Sequence, residues 1–169
     1  MPNNIWEKFR KFIKNPSCPH CQKSAAALYI ETFFIERNCK FKSEITIKTE
    51  NEYYQFFDFF NEEKQVAIEY DGEQHYIPIY GEEAFQHQKE LDNYKNKYCQ
   101  DNNIKLIRIL FWEKSHSSLD KILNSILNED YFTLENFLNE HSFEYFKNKF
   151  EKEYNRLLSL SIKFKQQKI

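Results

Sequence analysis

The spacing of apolar residues changes period along this chain. Ile5, Trp6, Phe9, Phe12 and Ile13 recur at helical spacing, which predicts a first helix. The turn-rich "KNPSCPHCQKS" follows and ends at Ser24, a good N-cap. Ala25 to Arg37 reads as a second helix burying Leu28, Ile30, Phe33 and Phe34. The period then drops to two. "CKFKSEITIK" and the aromatic-rich "EYYQFFDFF" read as strands, and "NEEK" as the hairpin connection to a third, "QVAIEYD". A polar helix is expected from Glu82 to about Asn102, with Phe85, Leu91, Tyr94 and Tyr98 on its apolar side. "IKLIRILFW" is an apolar run broken only by Lys105 and Arg108, the pattern of a buried strand. From Leu119 onward the period is helical throughout. The order is helices, three strands, helix, strand, helices. It predicts an α/β domain with a mixed sheet flanked by helices and extended by C-terminal helices. The divisions are residues 1–22 (helix and CPHC turn), 23–128 (core) and 129–169 (extension).

At 169 residues with 41% hydrophobic and 18% aromatic composition, the chain can build a core. The aromatics at these spacings are read as core. No apolar run approaches the ~20 residues of a membrane span, and "MPNNIWEKFRKF" lacks the apolar region of a signal peptide. The expectation is an intracellular protein (cytoplasmic, nuclear or viral) that is not secreted. Four cysteines at this size do not make a disulfide framework. Cys18 and Cys21 form a lone CxxC, with only His20 and Cys39 nearby as further ligands. A structural Zn²⁺ wants four ligands, so none is expected there. Cys99, on the apolar side of its helix, is expected in the core.

Net charge is only −2, but it is unevenly spread. Glu50 to Asp92 holds twelve acids against Lys64 and Lys89, a local balance of −10, whereas His141 to Ile169 carries +4. An acidic centre beside a basic segment fits a metal site next to a polyanion-binding surface. Solvated charged faces are the plainer alternative.

The acidic centre has internal order. Residues two apart in a strand share a face, so Glu69 and Asp71 point one way, and Ile68 and Tyr70 the other. Asp58 is the lone acid in "FFDFF", costly to bury without a partner or a cation. A hairpin through "NEEK" brings Asp58 to Glu69. A divalent cation that prefers oxygen would relieve their repulsion, polarise a phosphoryl oxygen and activate water. Gly72 would swing Gln74 and His75 back over the carboxylates, so His75 could take or orient a proton. Taken singly, each residue has an ordinary role as a solvent-facing charge, a turn or a structural histidine. With two glycines no phosphate-cradling loop is possible, and no nucleophile elbow is present.

"FFDFFNEEKQVAIEYDGEQHY", followed by "LDNYKNKYCQDNNIKLIRILFWE", resembles the PD-(D/E)XK nuclease superfamily. It is most similar to the branch shared by very-short-patch repair endonucleases and phage homing endonucleases with an EDxHD site. The resemblance runs from about Lys23 to Asn128 and implies a restriction-endonuclease-like core. It places the family's two acidic positions on Asp58 and Glu69, and the residue lending a backbone carbonyl to the metal on Tyr70. The usual lysine position is Asp71, the branch's histidine is His75 beside Gln74, and a helical aspartate–lysine pair falls on Asp92 and Lys95. The glutamate often found early in the first helix is missing from "SAAALYIETFF". Either Glu31 substitutes from another turn, or the site manages without it, or this copy is weakened.

The implied function is a Mg²⁺- or Mn²⁺-dependent endonuclease that cleaves or nicks DNA, with RNA as the other nucleic-acid candidate. Asp58, Glu69, the Tyr70 carbonyl and Asp71 would hold the metal. His75 would act as base, with Gln74 beside it. Lys95, positioned by Asp92, would meet phosphate charge, and the basic C-terminal helices would grip the backbone. The rival is a nuclease-fold module that no longer cuts and binds nucleic acid or a protein partner.

Overall fold

The structure, a computed structural model, describes residues 24–48 and 54–166. The expected first helix and the Cys18/Cys21 pair lie outside the described residues. Ser24 accepts the Ala27 N–H at 3.1 Å and starts helix α1 (Ala25–Glu36), so the three alanines that follow form its first turn. Ile30, Phe33 and Phe34 are buried, and Leu28 is half-buried. Strands β1 (Lys42–Lys48), β2 (Tyr54–Asn61) and β3 (Val66–Asp71) form an antiparallel meander. The polar helix α2 (Glu82–Asp101) then crosses over to β4 (Lys105–Leu110), which pairs with β3 in parallel. The sheet order is β1-β2-β3-β4.

Two boundaries differ from the sequence pattern. The hairpin turn falls one residue later than "NEEK". Asn61 stays in β2 and accepts the Lys64 N–H at 3.0 Å, while Gln65 takes the left-handed φ of 52° that closes the turn. The apolar run of β4 also outlasts the strand. Phe111 and Trp112 leave the sheet and pack with Ile77, Phe146 and Leu157 in a second cluster.

After β4 come α3 (His116–Leu127), α4 (Tyr131–Glu140), α5 (Phe143–Lys149) and α6 (Glu151–Gln166). Side-chain caps at Ser115, Asp130 and Ser142 cut what reads as a long helical period into separate helices. The main core lies between the sheet and helices α1, α3 and α4, where Phe59, Ile68, Ile107 and Ile109 meet Ile30, Phe34, Leu123 and Leu134. The other face, under α2, holds a smaller cluster of Phe57, Ala67 and Cys99. The protein is thus α/β, with a four-stranded mixed sheet flanked by helices and a helical C-terminal part. No helix among the described residues is long and apolar enough to cross a membrane.

Candidate active site

The β2–β3 ladder pairs only Phe59, Phe60 and Asn61 with Ile68, Ala67 and Val66. Beyond Phe59 the strands fork, and side chains take over the bonding. The Tyr70 N–H donates to Asp58 Oδ2 at 2.7 Å, and the Asp58 N–H donates to Glu69 Oε1 at 3.3 Å. A strand residue's N–H and C=O project to the same side, so the Tyr70 carbonyl shares this fork. The alternation expected of β2 fails at Asp58. Phe57 packs with Ala67 and Cys99 on one face, while Phe59 joins the main core on the other. Asp58 sits where the strand rotates, with its carboxyl turned into the fork. In β3 the alternation holds: Ile68 and Tyr70 belong to the main core, and Glu69 and Asp71 meet cations from α2 and β4 on the opposite side.

The buried acids Glu69 and Asp71 each meet a cation. Glu69 is 4% exposed and accepts a hydrogen bond from Lys95 Nζ of α2. Burial pushes its carboxyl up to about 7, against the pull of Lys95 and with a further push from Asp58. Asp58 is likewise raised, first by burial, with the Tyr70 N–H and Lys95 opposing. Asp71, 2% exposed, takes Arg108 Nη1 at 2.7 Å and the Tyr76 hydroxyl at 3.0 Å.

Asp92 is bound by His75, not by Lys95. His75 Nδ1 lies 3.0 Å from both Asp92 oxygens, Gln88 donates at 3.2 Å, and Arg108 Nη1 stands 3.4 Å away. Burial would raise the Asp92 carboxyl, but the His75 bond and the His75 and Arg108 charges outweigh it and hold the group low. With Nδ1–H committed to Asp92, a neutral His75 carries its lone pair on Nε2. The pairs are therefore Lys95 with Glu69 and Asp92 with His75, although Asp92 and Lys95 are one turn apart on the same helix.

Arg108 was missed as a site residue because it reads as a break in an apolar strand. It lies opposite Glu69 in the parallel register and binds Asp71 as well as Asp92. The available signal was a strand cation facing two strand acids of matching periodicity.

The turn after β3 departs from expectation in one respect. Gly72 has an ordinary extended backbone, φ −74° and ψ 176°, and the chain turns through the single 3-10 turn Glu73–His75. The glycine is needed for a different reason. A Cβ there would stand 2.5 Å from Gln74 Oε1, so the bare Cα makes room for the Gln74 amide.

Beside the fork is a cleft of about 780 Å³, lined among others by Ala25–Ala27, Asp58, Tyr70, Gln74, Lys114 and His116. Glu31 does not line this cleft and accepts the Ser43 hydroxyl at 3.0 Å.

Among the described residues, no group of three or more His, Cys, Asp or Glu side chains is arranged to hold a metal ion. The oxygen donors at the fork are two carboxylates, Asp58 and Glu69, and one peptide carbonyl. That set fits Mg²⁺ or Mn²⁺, which keeps several waters and takes one or two carboxylates with substrate oxygens. The raised pKa values of both acids mark buried charge that a cation would relieve. On the C-terminal helices, Lys147 and Arg156 are paired with Glu144 and Glu153 within their own helices.

No protein-family model matches the chain, and no solved structure matches it. The chain is similar to the Uncharacterized protein 307L of Invertebrate iridescent virus 6, with 36% identity over 61 residues. The match takes in 34% of this chain and 31% of that viral protein, so it spans about a third of the relative's length.

Proposed function

We propose that the protein is a divalent-metal-dependent endonuclease acting on DNA, built on the restriction-endonuclease-like core that its sequence resembles. One observation carries the reading: the strand fork joins half-buried Asp58, which lines an open cleft, to buried Glu69 with Lys95 bound to it. Asp58, Glu69 and the Tyr70 carbonyl are the groups that would hold Mg²⁺ or Mn²⁺. When bound, such an ion polarises a phosphoryl oxygen and acidifies water.

The remaining steps belong to the chain's own residues. Asp92 fixes the His75 tautomer so that Nε2 accepts the proton of the attacking water. Lys95, on a flexible stem, reaches from Glu69 to the charge that builds on the phosphate. Asp71 braces Arg108, which in turn holds Asp92.

The test is incubation of the purified protein with supercoiled plasmid DNA in Mg²⁺, in Mn²⁺ and in EDTA. Relaxed or linear product in metal and none in EDTA supports the reading, and intact plasmid in both metals overturns it. A second reading, a module that binds without cutting, draws on the alanines that line the cleft beside Asp58. It predicts DNA retention with no product in the same tubes.

A further inference from the structure

The cleft beside the fork holds features that phosphodiester cleavage alone does not require. The Gln74 amide lies against Gly72 in the cleft wall, and among the described residues it has no hydrogen-bond partner. Gly72 has a backbone that any residue could adopt, so the space its missing side chain leaves serves the amide alone. Further along the wall, the Tyr29 ring is fixed by its hydroxyl, which donates to Asp120 at 2.7 Å. The exposed His116 ring lies flat on it, with centroids 4.4 Å apart and planes at 13°. Lys114 adds a cation to the lining, and the alanines that precede Tyr29 on α1 line the same cleft. A fixed aromatic surface, an amide with both donor and acceptor open, and a nearby ammonium together match one nucleotide: a flat face to stack, an edge to read and a phosphate to neutralise.

We infer that this cleft receives an unpaired nucleobase next to the scissile phosphate, stacked along the Tyr29–His116 surface and read at its edge by the Gln74 amide. The inference rests on the nuclease reading above and narrows its substrate to nucleic acid with an unstacked base at the cleavage point. A base inside a duplex has its faces covered by neighbours and its pairing edge by its partner. Only an extruded or unpaired base offers both to the protein. The volume of about 780 Å³ lies within the range of small-ligand pockets, roughly 300–1,000 Å³.

The test is fluorescence anisotropy in EDTA at fixed salt, where no cleavage is needed. Three labelled duplexes are compared: one with a single unpaired adenine, the same duplex fully paired, and the same duplex with an abasic residue at the unpaired position. The wild-type protein is expected to bind the unpaired adenine about tenfold or more tighter than either control, the scale of one stacked base. Gln74→Ala and His116→Ala should each erase most of that preference. Gly72→Ala should erase it too, because the new methyl displaces the amide while the flexible end of Gln74 moves aside and the fold persists. Lys114→Ala should weaken all three duplexes alike. Wild-type affinities within twofold of one another, or a preference that survives both Gln74→Ala and Gly72→Ala, would overturn the pocket. If plasmid is cut in metal and the duplexes bind alike, only the pocket fails. If the preference stands and no substrate is cut, the pocket remains and the nuclease reading fails.

Discussion

The two faces of β3 are equally dry and chemically opposite. Toward α1, α3 and α4, Ile68 joins a core in which the buried side chains are aliphatic or phenylalanine and meet only by packing. Toward α2, the very next residue, Glu69, begins a layer of charges in which each group has a named partner. On the first face stability is the sum of many dispersive contacts, and losing one leaves a cavity. On the second, a few charge pairs sit in low dielectric, and losing one partner leaves an uncompensated charge. Adjacent positions in one strand should therefore fail in different ways.

The largest expected effect is on chemistry. Glu69→Gln should lower DNA cleavage by on the order of 10³-fold or more, since it removes part of the cation's carboxylate set. Its unfolding free energy at pH 8, measured in urea, should match or exceed that of the wild type, because the desolvation cost of the ionised Glu69 is removed while Lys95, on a flexible stem, can turn its charge to water. Ile68→Ala should do the reverse at the next residue: about 2–5 kcal/mol of stability lost, with cleavage at low temperature nearly retained. If both variants lost stability equally, the division between the faces would not hold.

Arg108→Met tests the charged layer from its far side. It strips Asp71 and Asp92 of their shared guanidinium, and a cost of about 3 kcal/mol in urea unfolding is expected. Arg108→Lys should recover only part of it, because a single ammonium cannot also replace the Nη2 and Nε contacts to the Asp92 carbonyl and Asn96. Lys95→Ala should cost about a hundredfold in cleavage, with DNA affinity in EDTA little changed. Full activity without Lys95 would reduce its contact with Glu69 to a structural ion pair.

The smallest effect is the pH dependence of folding in EDTA. The folded Glu69 carboxyl titrates at about 7, against an ordinary 4.5 when unfolded. Between those values the folded state binds more protons. Stability should therefore fall as pH rises through that window, by on the order of 1–3 kcal/mol. The raised Asp58 adds a shift of the same sign, while the lowered Asp92 acts near or below the ordinary carboxylate range. Glu69→Gln should flatten the slope. An unchanged slope in that variant would assign the titration elsewhere.

Much of the sheet was readable from residue order. "VAIEYD" alternates cleanly, so the shared side of Glu69 and Asp71 follows from a period of two, and the burial of Cys99 follows from its place on α2. The direction of Asp58 was not readable in the same way, because the alternation breaks there once side chains replace the ladder. His75 and Asp92 stand 17 positions apart on different elements. Periodicity relates residues only within an element, so nothing local pairs them. Arg108 was visible as an oddity in β4 and lacked meaning until the parallel register set it opposite Glu69. The overrun of β4 has a similar cause: Phe111 and Trp112 are apolar for the sake of a second cluster that only the C-terminal helices complete.

The most direct test of the central claim is a time course of supercoiled plasmid nicking in Mg²⁺, run for the wild type and for Asp58→Asn purified side by side. Asp58→Asn keeps an oxygen to accept the Tyr70 N–H, so the fork should persist while its charge is lost. Steady conversion by the wild type, with conversion at the buffer-only level in Asp58→Asn, is the predicted result. Equal rates in the two proteins would contradict it, because the cleaving activity would then not depend on the carboxylates at the fork.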